Sequence, residues 1–105
     1  MREFIGVSEE NIKGGIIKEI GAKGFVLMEG IAAYCDFDTR QAIVSIERLA
    51  YITGMSYSTA SREINSLVDR GYITKQIIPT RMGLRPMFKL LDERFELLRI
   101  EDEEN

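Results

Sequence analysis

The chain contains no histidine and a single cysteine, Cys35. Missing imidazole removes the side chain that most often supplies acid-base chemistry near neutral pH and metal ligation, and one thiol cannot close an internal disulfide. Long apolar runs are also missing. None approaches the roughly 18 consecutive apolar residues of a membrane-spanning helix, and Met1 to Val7 holds no basic stretch leading into an apolar one. These gaps predict a cytoplasmic protein that is no enzyme, needs no cofactor or metal, and has no membrane partner. What is present, 105 residues with 45% apolar and 30% charged side chains, suits one soluble folded domain rather than a disordered polyelectrolyte.

The net charge of −3 conceals an uneven distribution. Residues 1–39 hold four basic and seven acidic side chains, residues 40–91 hold eight and three, and residues 92–105 hold two and seven. A basic central block is what a phosphate-facing surface requires, although a modest surplus of one sign is equally common on a solvated face that binds nothing.

Five of the nine glycines fall before residue 25, and the first 21 residues fit neither helical nor strand period, which predicts an irregular arm. Within it Ile16, Ile17 and Ile20 can cover one side of the core as a short helical turn. From Ala22 to Cys35 the spacing of Phe25, Met28, Ile31, Ala32 and Cys35 predicts a helix with one buried stripe. Asp36 to Thr39 ends it, because these side chains compete with helical backbone bonding. Ala42 to Val44 reads as a brief strand. Ser45 then caps a helix carrying Ile46, Leu49, Ala50 and Ile52, which stops at Thr53 and Gly54. Ser56 caps another from about Tyr57 to Arg70, with Ala60, Ile64, Leu67 and Val68 inward and Gly71 ending it. Tyr72–Ile78 and Arg85–Leu91 are β-rich on either side of a six-residue tip, Pro79 to Leu84, and predict a hairpin. Residues 92–105 predict a short helix bearing Phe95 and Leu98, then an acidic end that frays.

Two capped helices separated by Gly54 and Met55, the second running through Gly71 into a hairpin, follow the order of a winged helix-turn-helix. The small Ala50, four residues before Gly54, lets the helices cross closely, and Leu49, Met55, Ala60 and Ile64 can share one core. The expected class is α+β, mainly α, with a three-helix core and a hairpin wing over residues 22–91. The competing arrangement is an unrelated three-helix bundle with a hairpin. The stretches IGAKGFVLMEGIAAYCD and SIERLAYITGMSYSTASREINSLVDRGYITK resemble the winged-helix domains of phage and plasmid replication initiators and replisome organisers, and more loosely those of transcriptional repressors. The resemblance spans about residues 15–91 and is carried most specifically by Leu49, Ala50, Gly54, Ser56, Thr59, Arg62, Leu67, Gly71, Tyr72 and Ile73. It implies double-stranded DNA as partner, bound often by dimers. Such initiators usually carry a further domain, for which 105 residues leave no room, so a small regulator or accessory factor is expected rather than a complete initiator.

With its second helix in a major groove, this arrangement turns Tyr57, Ser58, Ser61, Arg62 and Asn65 outward. Arg62 can pair with guanine O6 and N7, Asn65 with adenine N6 and N7, and the hydroxyls of Ser58 and Ser61 can serve base edges or phosphate. Tyr57 can stack on sugar or donate to phosphate. Ser56 and Thr59 lie at the positive helix end, which favours an anion, although capping alone accounts for Ser56 and a first-turn structural role for Thr59. For Arg62 the rival role is a surface ion pair with Glu63 or Glu47, worth at most about 1 kcal/mol. Lys75, Arg81, Arg85 and Lys89 lie on the hairpin, with Arg81 and Arg85 flanking its tip for a minor groove or the backbone, and Gly83 keeping the tip flexible. A solubilising loop is the plainer alternative.

Other motifs fail on their spacing. Asp36-Phe37-Asp38 is no calcium loop, since Arg40 and Gln41 occupy the positions of an oxygen ligand and the glycine. No Ser or Thr follows Lys23 to complete a phosphate loop. Cys35, on a buried stripe, is a packed thiol. The functional expectation is a DNA-binding homodimer that regulates transcription or replication of a mobile element, dimerising through Phe95, Leu98 and the arm. The effector, if there is one, is left open. The rival is a winged-helix protein-interaction module in a replication or secretion assembly.

Overall fold

The computed structural model describes residues 15–92, so the expectations for the arm before Gly15 and for the terminal helix with Phe95 and Leu98 lie outside the described residues. The element order is α1 (Ile16–Ala33), β1 (Gln41–Ile43), α2 (Ile46–Thr53), α3 (Tyr57–Asp69), β2 (Ile73–Thr80) and β3 (Gly83–Leu90). α1 begins six residues before the expected Ala22. Gly21 interrupts it at φ 84° and ψ 161°, dividing a short opening turn from the main segment. Ile16 and Ile20 on that turn are both buried, while Ile17 is partly covered. The expected stripe is present with one addition: Leu27 is fully buried, whereas Phe25 and Cys35 are only partly covered.

α1 ends at Ala33, two residues early. The turn after it is tied by Asp36 Oδ1, which accepts from the backbone N–H of Asp38 at 2.8 Å and Thr39 at 3.1 Å. Ser45 Oγ accepts from Arg48 N at 3.0 Å and opens α2. Gly54 closes it at φ 75°, a left-handed position that a Cβ would strain. Ser56 Oγ accepts from Thr59 N at 3.1 Å and opens α3. Ala60, Ile64 and Leu67 form the buried face of α3 and meet Leu27, Met28, Ile31 and Leu49 in one core.

The strands form an antiparallel sheet of order β1-β3-β2. β2 and β3 pair from Ile73↔Leu90 to Thr80↔Gly83, and β1 pairs on the other side of β3 from Gln41↔Lys89 to Ile43↔Met87. The hairpin is longer and its tip shorter than the expected six-residue loop. Pro79 belongs to β2, an edge strand where a residue lacking an N–H is tolerated. Pro86 sits in the central strand just past the end of β1, and its carbonyl still accepts from Val44 N at 3.4 Å. Ile73, Phe88 and Leu90 press the sheet against the helices.

Candidate nucleic-acid interface

α3 separates its side chains by face. Opposite the buried Ala60, Ile64 and Leu67, the side chains of Tyr57, Ser58, Arg62 and Asn65 are exposed, and Ser61 is half-buried. Neither Glu63 nor Glu47 bonds Arg62, and neither Arg62 nor Asn65 makes a side-chain hydrogen bond or ion pair among the described residues. At the helix start the hydroxyls are engaged with one another. Ser56 Oγ donates to Thr59 Oγ1 at 3.0 Å and lies 3.3 Å from Ser58 Oγ, and Thr59 is half-buried. Ser56 therefore acts as a cap, and both it and Ser58 are exposed.

The pleat divides the hairpin cations. Cross-strand partners share a face of the sheet, so Lys75, opposite the buried Phe88, stands on the side of the helices, while Arg85, opposite Ile78, stands on the other. Lys89, opposite Thr74 and Gln41, shares the face of Arg85. Tyr57 and Lys75 meet at a surface hollow between α2, α3 and the hairpin that also takes in Ile77, Leu84 and part of Arg85. Arg81 occupies the tip. With Arg85 and Arg48 it rims a second hollow along the edge of β3 left open where β1 ends. Neither hollow reaches Arg62 or Asn65.

Arg48 was not singled out in the sequence. Its Nε donates to Tyr34 Oη at 3.0 Å and its guanidinium lies 5.7 Å from the ring centre of Tyr51, and the Tyr34 hydrogen bond holds its proton more firmly than usual. The one available signal was a basic residue in the first turn behind the Ser45 cap.

The tip is also stiffer than expected. Thr80 Oγ1 donates to the carbonyl of Gly83 at 2.7 Å and accepts from Met82 N at 3.1 Å, leaving Arg81 and Met82 to make the turn. Gly83 takes φ 102°, open to glycine and strained for other residues, so it locks the turn instead of loosening it.

Three helices, a tight turn between the second and third, and a hairpin leading out of the third are now in place. The fold is a winged helix-turn-helix. Solved structures share it. One, described as a MarR family transcriptional regulator from Silicibacter pomeroyi DSS, superposes with a TM-score of 0.57 at 22% identity over 83% of this chain and 53% of its own. Another, a possible transcriptional regulator from Methanosarcina mazei Go1, gives a TM-score of 0.57 at 13% identity over 79% of this chain and 68% of its own. The chain thus spans about half the length of the first neighbour. No protein-family model and no curated protein matches the sequence.

Away from this face, two ionisable groups are shifted by burial. Cys35 is pushed up to about 11, first by desolvation, with Arg40 opposing and Asp36 adding to it. Glu29 is raised above the ordinary carboxyl range by desolvation, and its Oε2 is buried without a hydrogen-bond partner among the described residues. No group of three acidic, cysteine or histidine side chains among the described residues is placed to hold a metal, and no described helix is long and apolar enough to cross a membrane.

Proposed function

We propose that the protein binds double-stranded DNA sequence-specifically and regulates transcription. α3 enters a major groove and the hairpin follows the flanking minor groove or backbone. The observation that carries this reading is the exposed polar face of α3, with Arg62 and Asn65 unengaged among the described residues, beside a hairpin whose residues 72–91 contain four cations and no acidic side chain. Arg62 and Asn65 read base edges, Ser58, Ser61 and Tyr57 add base or phosphate contacts, and Ser56 and Thr59 present the positive helix end. Lys75, Arg81, Arg85 and, in addition, Arg48 supply phosphate or minor-groove contacts. Transcription is preferred to replication of a mobile element because both structural neighbours are described as transcriptional regulators. A homodimer is part of the reading, since one such module spans too few base pairs for selectivity. Light scattering at 12.0 kDa under micromolar conditions would remove it.

The test is fluorescence anisotropy on random duplex and on a duplex selected from a random pool. The expected result is micromolar or tighter binding that weakens steeply with salt, and Arg62→Ala loses about 1–3 kcal/mol on the selected site while relaxing one base position. Absence of binding at low salt overturns the reading in favour of a protein-interaction module.

A further inference from the structure

A cationic ribbon that only followed phosphates would need no apolar end, yet this one exposes three large hydrophobic side chains near its tip. Met82 is 76% exposed, Leu84 68% and Ile77 55%. Ile77 and Leu84 share the helix-facing side of the hairpin, where they border the same hollow as Tyr57 and Lys75, whereas Met82 stands at the turn beside Arg81 and borders the second hollow with Arg48 and Arg85. The Thr80 hydroxyl bridges both sides of this turn, so Met82 is held in place at the narrow end of the ribbon before any partner arrives.

We infer that Met82, at the exposed tip of the hairpin, is a wedge that enters a DNA minor groove and partly separates a base step, kinking the duplex that α3 reads. This rests on the DNA-binding reading above. A groove about 6 Å wide is too narrow for a whole two-stranded ribbon, but the two-residue turn presents Arg81 and Met82 as single side chains at the tip, from which they can enter it. Arginine is drawn to the negative potential of a narrow minor groove, and Arg81 adjoins the wedge in sequence. Apolar side chains inserted at a step gain contact with base faces and compensate for lost stacking, and the bent duplex then meets more protein surface. Charge decides between DNA and the hairpin of a second copy as occupant. Residues 72–91 carry Lys75, Arg81, Arg85 and Lys89 with no acidic residue, so two like hairpins repel whereas a polyanion is attracted.

The experiment uses the full chain and a selected duplex with donor and acceptor dyes at its ends and 2-aminopurine placed successively through the flanking minor groove. Saturating protein is expected to shorten the end-to-end distance by an amount matching a bend in the range of roughly 20–90°, and to raise 2-aminopurine emission at one step. Met82→Ala is expected to lose at least half of the bend and the emission change, and Met82→Leu to keep both. Arg81→Ala weakens binding but leaves the bend of the saturated complex. A duplex bound by the parent chain without bending, or bent equally by Met82→Ala, overturns the wedge while leaving DNA binding intact. Failure of the parent chain to bind any duplex overturns both readings. Loss of a DNA-free dimer on Met82→Ala assigns the tip to a second copy and overturns the wedge.

Discussion

Two glycines on opposite sides of one helix contact predict stability changes of opposite sign. Gly30 is buried in α1 with ordinary helical backbone, and a Cβ built there would lie 3.5 Å from Ile52 Cδ1, Leu49 Cδ2 and Thr53 Cγ2. That is normal van der Waals contact. Gly30→Ala therefore gains about 0.8–1 kcal/mol of helix propensity and buries a methyl against α2, for which about 0.8 kcal/mol is an upper figure. Slight crowding offsets part of this, which leaves a net stabilisation of about 1–1.5 kcal/mol. Gly54, at the C-terminus of the same α2, has open space where a Cβ would stand but φ 75°. Placing alanine in that left-handed conformation costs about 1–2 kcal/mol, so Gly54→Ala destabilises although nothing touches the new methyl. Urea unfolding followed by far-ultraviolet circular dichroism reads both, and the midpoints are expected to move apart with unchanged slopes. On heating, Gly30→Ala gains about 4–8 °C per kcal/mol. If Gly30→Ala proved destabilising, α1 and α2 would approach more closely than 3.5 Å allows. If Gly54→Ala were silent, the turn would not depend on its backbone conformation.

The remaining predictions concern charge. Arg81→Ala should weaken binding on every duplex and reduce the slope of log K against log salt by about one unit, and a slope equal to the parent's would exclude a phosphate contact there. Glu29 has a folded-state pKa above its unfolded one, so the folded form holds the proton more tightly and stability declines as pH rises from about 4.5 through the raised value. Glu29→Gln is expected to be more stable than the parent at pH 7 and to lose that decline, which denaturant midpoints from pH 4 to 8 would register; parallel curves for the two proteins would refute it. Cys35, raised to about 11 from an ordinary 9.0, should hold about 100-fold less thiolate at pH 8 than a free thiol. A disulfide reagent should thus label it slowly until denaturant is added, whereas native labelling at the free-cysteine rate would contradict its packing.

Local chemistry made much of the fold legible. Ser45 and Ser56 each bond the N–H three residues on, as a cap does, and Gly54 and Gly71 take positive φ where the helices needed to stop. What escaped depended on distant partners. Pro79 and Gly83 read as loop residues because each disfavours a strand interior, yet Pro79 lies on an edge strand and the Thr80 hydroxyl shortens the turn. Leu27 adjoins Met28 in sequence, and only the meeting of α1 with both α3 and the sheet buries the two together. In the interface, the outward side of α3 followed from its period. The division of Lys75 from Arg85 required the strand register, and the place of Arg48 beside Arg81 and Arg85 required the end of β1.

The direction of the hairpin relative to α3 is set at its base, at the opposite end from Arg81 and Met82. Arg70, which caps α3, donates through Nη2 to Glu19 O at 2.6 Å and lies 5.3 Å from the ring centre of Tyr72, whose hydroxyl donates to Glu19 Oε2 at 2.6 Å. This joins the opening turn of α1 to the point where α3 becomes β2. On the outgoing strand, Arg40 at φ 59° donates through Nε to Leu90 O at 3.3 Å and through Nη2 to Asp92 O at 2.9 Å, while its own carbonyl accepts from Leu90 N at 3.0 Å. Both ends of the hairpin are therefore fastened to segments that precede α2. A non-glycine residue in the left-handed region costs of order 1 kcal/mol or more, and four hydrogen bonds at Arg40, counting its own N–H to Asp36 O at 2.8 Å, offset it. A ribbon fastened at both ends cannot pivot freely at its root. On the DNA-binding reading proposed above, variation in the spacing between the α3 site and the flanking groove falls to bending of the duplex, the response that a wedge at Met82 would supply.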